Sequence, residues 1–288
     1  MILFKKASDI NAYLLKSKEA DKKIGFVPTM GALHQGHTSL IQASKQAGSI
    51  SVCSIFINPA QFNDAKDFDK YPTTIEKDID ALEKAGCDVL FLPSVAEMYP
   101  AGTAHAKTYD LGYLETVLEG KYRPGHFQGV CLVVHRLLNI IPADDFYLGQ
   151  KDYQQCMVIK KLVELEKINT TIHICPTLRE TGGLAMSSRN MRLTAEARKH
   201  ALKIFETLSY LKNNIKPGDL SGLIQAAINN LTDAGFKVDY VEIANAGNLE
   251  IINDWDGNKK PVAVIAAFLG DVRLIDNLIL SASPNNKN

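Results

Sequence analysis

Through its first 175 residues the chain alternates short β-branched runs with segments of helical period. A parallel sheet covered by helices on both faces is the architecture that accommodates this rhythm. Strands are predicted at 24–27, 50–57, 88–92, 146–149 and 171–175. A helix is predicted over 74–85, where Ile75, Ile79, Leu82 and Ala85 share one face and Gly86 caps the end. A nearly all-apolar helix over 129–141 stops at Pro142, and another covers 153–166.

Beyond Pro176 the order of elements changes. A helix capped by Thr194 is predicted over 194–213, a break at Pro217-Gly218-Asp219, and a helix over 220–234. Strands follow consecutively at 238–243, 262–269 and 273–280. Helices followed by consecutive strands indicate an α+β unit with an antiparallel sheet. The expectation is therefore a doubly wound, Rossmann-like α/β domain over 1–176 and a smaller α+β domain over 177–288. The polar tail 283–288 is expected to fray.

Lys plus Arg equals Asp plus Glu at 32 each, and this zero balance argues against a general nucleic-acid-binding role. The five cysteines are scattered among apolar runs and read as buried, reduced thiols. Met1 to Lys6 lacks the apolar core of a signal peptide, and no apolar run approaches the ~20 residues that span a bilayer. A soluble, cytoplasmic protein with no membrane partner is expected.

Chemistry is most legible in Pro28-Thr29-Met30-Gly31-Ala32-Leu33-His34-Gln35-Gly36-His37. Strand, tight turn and helix N-terminus together form an anion site, where unpaired backbone N–H groups and the helix dipole favour phosphate. His34 and His37 add side-chain donors. No Glu lies between them as in a zinc helix, no Cys-x-x-Cys occurs, and neither a P-loop nor Gly-x-Gly-x-x-Gly is present.

Further polar clusters fall at strand ends, where open α/β sheets bind ligands. These are Asn58-Pro59-Ala60-Gln61-Phe62-Asn63, Gly149-Gln150-Lys151-Asp152, and the stretch from Leu178 to Asn190. Lys151 offers a compact charge for a moving phosphoryl group. Gln61 and Gln155 offer amides that suit hydroxyl or carbonyl oxygens, and Gln155 stands four residues after Lys151, the spacing of a shared helix face. Met186-Ser187-Ser188-Arg189-Asn190, preceded by Gly182-Gly183, reads as a mobile phosphate-clamping loop or an inter-domain linker. Asp78 reads as an exposed helical carboxylate and only a weak metal candidate. No Ser-His-Asp or Cys-His arrangement supports covalent catalysis.

Taken together, the segments 28–37, Phe56-Ile57-Asn58-Pro59-Ala60-Gln61-Phe62, Arg123-Pro124-Gly125-His126-Phe127, Lys151-Asp152-Tyr153-Gln154-Gln155 and 183–190 resemble the pantothenate synthetase family, in family order and over essentially the whole chain. The His-x-Gly-His element alone is shared with nucleotidylyl transferases and class I aminoacyl-tRNA synthetases. A nucleotidylyl transferase of other specificity and a tRNA-binding module are the competing readings.

The resemblance implies ATP-dependent joining of (R)-pantoate and β-alanine through pantoyl adenylate, with AMP and pyrophosphate released. It implies ATP contacts at Met30, Gly31, Ala32, Leu33, His34, Gln35, Gly36, His37, Gly149, Gln150, Lys151, Asp152, Leu178, Met186, Ser187, Ser188 and Arg189. Catalytic roles would fall to His37, His34, Lys151, Ser187, Ser188 and Arg189, with His37 a proton donor. Gln61 and Gln155 would hold pantoate, and Gln61 also β-alanine. Mg2+ would accompany the nucleotide on ligands the sequence does not identify, and a homodimer with the smaller domain as a lid is implied. Gln150, Gly182, Thr73 and Gln128 depart from the residues common in the family (Glu, Asp, Arg and Arg).

Overall fold

A computed structural model describes residues 1–62, 68, 71–102 and 107–280; Asn63 and the tail 283–288 lie outside the described residues. These residues sort into two compact units. One holds Met1–Gln150 with Gln154–Pro176, the other Lys151–Tyr153 with the chain from Thr177 onward.

In the first unit six strands, β1 (Ile2–Phe4), β2 (Ile24–Thr29), β3 (Ile50–Ile55), β4 (Val89–Phe91), β5 (Asp145–Gly149) and β6 (Thr171–Cys175), form one sheet in the order β1-β4-β3-β2-β5-β6. Every pairing in it is parallel. The described helices are α1 (Ala7–Glu19), α2 (Gln35–Gln46), α3 (Ile75–Lys84), α4 (Val95–Met98), α5 (Leu118–Tyr122), α6 (His126–Ile140) and α7 (Tyr153–Leu165). The doubly wound expectation holds. Two elements escape the sequence pattern. The three residues of β1 are too few to show a period, and α1 buries only Ile10 and Leu14 on its face. Gly86 ends α3 in the left-handed region at φ 78°, as a C-terminal glycine should.

The chain reverses direction across the sheet between β2 and β5, the switch point at which such sheets bind ligands. Pairing of β2 with β3 runs from Ile24 to Thr29, whereas β2 and β5 pair only at Gly25↔Asp145 and Phe26↔Phe146. The two strands therefore part toward their carboxyl ends. Below the opening the Phe26 and Phe146 rings stack with centroids 5.4 Å apart. Gly25 lets α2 settle onto the sheet, since a Cβ there would lie 2.1 Å from Ser44 Oγ.

The second unit contains α8 (Ala195–Ala201), α9 (Lys203–Asn214), β7 (Gly218–Asp219), α10 (Ser221–Asp233), β8 (Lys237–Asn245), β9 (Asp254–Trp255), β10 (Pro261–Leu269) and β11 (Val272–Ile279). β8, β10 and β11 make the expected antiparallel sheet, and β7 pairs with β9. Leu208, Leu211, Leu231, Ile243 and Ile265 are among its buried core. The helix predicted over 194–213 is two helices. They meet at Leu202, whose N–H bonds to Lys199 O, three residues back, and tightens the turn.

Candidate active site

The turn between β2 and α2 is held from outside itself. Gly31 and Ala32 are both left-handed, at φ 84° and 50°. For a non-glycine residue this costs about 1–2 kcal/mol. Asp78, on α3 and only 1 % exposed, offsets that cost. Its Oδ2 accepts Ala32 N–H at 2.9 Å and its Oδ1 accepts Leu33 N–H at 2.8 Å, with Thr74 Oγ1 donating to Oδ1 at 3.1 Å. The expectation of an exposed Asp78 is thus wrong: helical period marks which face a residue lies on, not what packs against that face.

The same geometry corrects the picture of open backbone donors. Gly31 N–H goes to Thr29 Oγ1, Ala32 and Leu33 N–H go to Asp78, and His37 and Thr38 N–H go to His34 O. His34 caps α2, its Nδ1 accepting Gly36 N–H at 3.1 Å, while His37 Nδ1 accepts His34 N–H at 3.3 Å. The two rings lie 4.0 Å apart between centroids. A ring whose Nδ1 accepts carries its proton on Nε2, so both imidazoles are Nε2–H donors when neutral. The imidazole rings and the helix dipole are the features of this turn whose chemistry suits an anion. Met30 and Leu33 are half-buried and Gln35 is exposed.

After β3, the turn Pro59–Gln61 carries Gln61, whose Nε2 meets Met30 Sδ at 2.9 Å. Helix α6 lies close against this turn because residue 129 is glycine; a Cβ there would sit 2.1 Å from Ala60 O. His126 Nδ1 lies 2.8 Å from Gln61 O. At the end of β5, Gly149 has no atom within 4 Å of where a Cβ would be, leaving open space beside the strand end. Gln155 stands half-buried in the first turn of α7. Lys151 lies in the 3-10 turn Gln150–Asp152, before that helix begins. The shared-face argument for Lys151 and Gln155 needs one continuous α-helix and does not apply.

In the second unit, Asn277 Nδ2 donates to Lys151 O at 2.8 Å, and Tyr153 Oη donates to Ala246 O at 2.7 Å. Lys151 Nζ lies 3.8 Å from Asp152 Oδ1. Leu178 and Met186 are joined by the Met186 N–H bond to Leu178 O across a small hairpin. The hairpin is braced at its base. Buried Asp276 receives Arg179 in bidentate fashion at 2.6 and 3.1 Å, and Arg179 also donates to Gly183 O and stacks 4.2 Å over the Phe205 ring. Burial pushes the Asp276 carboxyl up, and Arg179 works against that push.

The stretch expected as a phosphate-clamping loop or a linker is packed and hydrogen-bonded at its base. Gly183 is a close-packing residue, with a substituted Cβ 2.1 Å from Phe205, and Asn190 is buried with bonds to Glu180 Oε1 and Ala185 O. Ser187 caps the short helix Ser188–Arg192 by accepting Arg189 N–H at 3.2 Å. The supporting roles of Asp78, Asn190 and Asp276 are not found by sequence reasoning. A polar residue inside an apolar pattern is the signal available for them.

The pantoate-beta-alanine ligase family model matches residues 2–279. The chain belongs to the pantoate-β-alanine ligase family. A pantothenate synthetase of Cytophaga hutchinsonii is 44% identical over 283 residues, covering 97% of this chain and 99% of the relative. The solved pantothenate synthetase of Thermus thermophilus superposes with a TM-score of 0.86 at 35% identity, over 98% of this chain and 100% of that one. The Francisella tularensis pantoate-beta-alanine ligase, solved with beta-gamma ATP and beta-alanine, gives 0.83 at 38% identity, over 99% and 100%.

In this ligase two of the four departures from family pattern have local roles. Gln128 Oε1 accepts Tyr109 N–H, and its Nε2 donates to Tyr109 O and to Glu115, tying residues 109–115 to α6. Gly182 sits at φ 96° in the hairpin turn, a conformation that disfavours the common Asp. Thr73 is exposed and Gln150 half-buried. Among the described residues no three His, Cys, Asp or Glu side chains converge as a metal cage. Both Asp78 oxygens are already engaged by backbone N–H, so that carboxylate does not fit a metal ligand. No helix among the described residues is long and apolar enough to cross a membrane.

The cysteines are free thiols, and Cys53, Cys87, Cys131 and Cys156 are buried. Burial pushes Cys87 up to about 11 and Cys131 up to about 12, and raises Cys53 and Cys175 as well. A disulfide-exchange reagent at pH 8 is expected to leave the four buried thiols unlabelled in the native protein and to label them on unfolding. Rapid native labelling at Cys87 or Cys131 would contradict this placement.

Proposed function

We propose that this ligase joins (R)-pantoate to β-alanine through a pantoyl-adenylate intermediate, and that the side chains above divide the work as follows. A pantoate carboxylate oxygen attacks the α-phosphorus of ATP, and the bond from that phosphorus to the bridging oxygen of pyrophosphate breaks. The β-alanine amine then attacks the acyl carbon, the acyl–oxygen bond to AMP breaks, and the amine loses a proton. Neither step needs a protein nucleophile; both need positioning and stabilised charge. The observation that carries this reading is the match of a ligase family across the whole chain to a sequence whose His-x-Gly-His turn follows β2 at the sheet's switch point.

His34 and His37 act on the phosphates through their Nε2–H groups, with His37 supplying a proton to the departing pyrophosphate. The backbone from Met30 to Gly36, with Gly149 and Gln150, flanks the nucleotide. Lys151, Asp152, Leu178, Met186, Ser187, Ser188 and Arg189 also contact the nucleotide, with Lys151 and Arg189 countering charge on the transferring phosphorus. Gln61 and Gln155 hold pantoate, and Gln61 also engages β-alanine. Magnesium would accompany the nucleotide and would lower the charge on its phosphates, in keeping with its reluctance to shed water. The ligase works in the cytoplasm as a homodimer.

The adenylating half-reaction is testable without the amine. Labelled pyrophosphate is expected to exchange into ATP when pantoate is present and β-alanine absent. Folded protein that shows no pantoate-dependent exchange would reject the reading, and AMP production on adding β-alanine completes the test.

A further inference from the structure

We propose that Tyr99 is a positioning residue for Gln61, acting through Asn58 so that Gln61 presents its amide N–H group, and not its carbonyl oxygen, to the acid substrate. This rests on the assignment of Gln61 to pantoate.

Asn58 is 1 % exposed, and its amide is keyed by backbone groups whose polarity cannot change. Ala60 N–H donates to Asn58 Oδ1 at 3.2 Å, and Asn58 Nδ2 donates to Gly129 O at 3.0 Å. Flipping the amide would set donor against donor and oxygen against oxygen. Tyr99 Oη adds the second bond to Oδ1, at 2.8 Å, and is the shortest contact of the three. Burial pushes the Tyr99 phenol up, so it stays protonated and available to donate.

With that orientation set, the second hydrogen on Asn58 Nδ2 goes to Gln61 Oε1 at 3.2 Å. The carbonyl end of Gln61 is thereby engaged inward. Its Nε2 meets a thioether at Met30 Sδ, 2.9 Å away, and sulfur is a weak acceptor. A carboxylate or hydroxyl oxygen of the substrate displaces that contact with gain. Gly129 completes the device by letting α6 bring its carbonyl within reach of Asn58. Gln61 is thus a directed donor, and the subsite selects an acceptor oxygen.

Tyr99→Phe keeps the ring and removes the hydroxyl. In pantoate-dependent exchange its KM for pantoate is expected to rise about five- to tenfold, the cost of a half-satisfied buried amide, while KM for ATP and kcat stay within about twofold. A general loosening of the unit would move both KM values together, and that result, or an unchanged pantoate KM, overturns the proposal. Gln61→Glu tests the same polarity independently. Asn58 would engage one carboxylate oxygen and leave the other facing substrate as an acceptor. Pantoate KM is then expected to rise on the order of a hundredfold at pH 8. It should fall as pH drops toward the glutamate range of about 4.3, where the acid regains a donor. A Glu variant near parental KM at every pH refutes the donor assignment. A parent enzyme without exchange rejects the ligase reading itself, whereas an active parent with an indifferent Tyr99→Phe rejects only the relay.

Discussion

Asp78→Ala is expected to destabilise the first unit by about 3 kcal/mol, the cost of leaving buried N–H groups without a partner. Two amides, Ala32 N–H and Leu33 N–H, lose their acceptor at once, and Ala32 is left at φ 50° with nothing to hold it. Ligase activity should fall with stability, because His34 follows directly in the same turn. Asp78→Asn keeps the volume and one acceptor, but turns its NH2 toward one of the two amides, so an intermediate loss is expected. Asp80, two residues on, pairs with Lys84 on the exposed face. Asp80→Asn should therefore change stability by no more than about 0.5 kcal/mol. Thermal and urea unfolding of the three variants make the comparison; equal effects at 78 and 80 would remove Asp78 from its supporting role.

Lys151→Ala is expected to reduce kcat by about a hundredfold or more, equivalent to about 3 kcal/mol of transition-state stabilisation. The side chain is mostly buried, 16% exposed, and its backbone carbonyl is fixed by Asn277. A preorganised charge of this kind acts on the moving phosphoryl group more than on bound ATP, so KM for ATP should change less than kcat. Lys151→Arg should recover little, since a planar guanidinium cannot follow the path of a compact ammonium. Single-turnover formation of the adenylate is the direct measurement. A loss smaller than about fivefold would exclude Lys151 from the transition state.

Much of the fold is legible in the chain itself, and the reason is local. The strand runs, the cap at Gly86 and the stop at Pro142 depend on neighbours a few residues away, so their pattern survives in one dimension. The His-x-Gly-His turn is equally local, as is the order of polar clusters at strand ends. Where sequence reasoning fails, the deciding partner lies far along the chain. Asp78 looks solvated because its partners, Ala32 and Leu33, are more than forty residues earlier. Gly182 and Gly183 look flexible because the side chains of Leu202 and Phe205 that press on them come from a distant segment. Lys151 and Gln155 look like one helix face because a 3-10 turn leaves no trace in their spacing.

Periodicity and contiguous motifs were enough to specify the class of fold, the His-x-Gly-His turn and the ligase family, because each is written in neighbouring residues. How the turn is held, and which donors it offers, emerges only once distant segments are packed together. The amide N–H groups expected to meet phosphate are largely engaged by Asp78, Thr29 and His34. Packing likewise sets Gln61 with its nitrogen outward, through Tyr99 and Asn58. Hydrogen-bond polarity is a property of the partner, and the partner is chosen by packing.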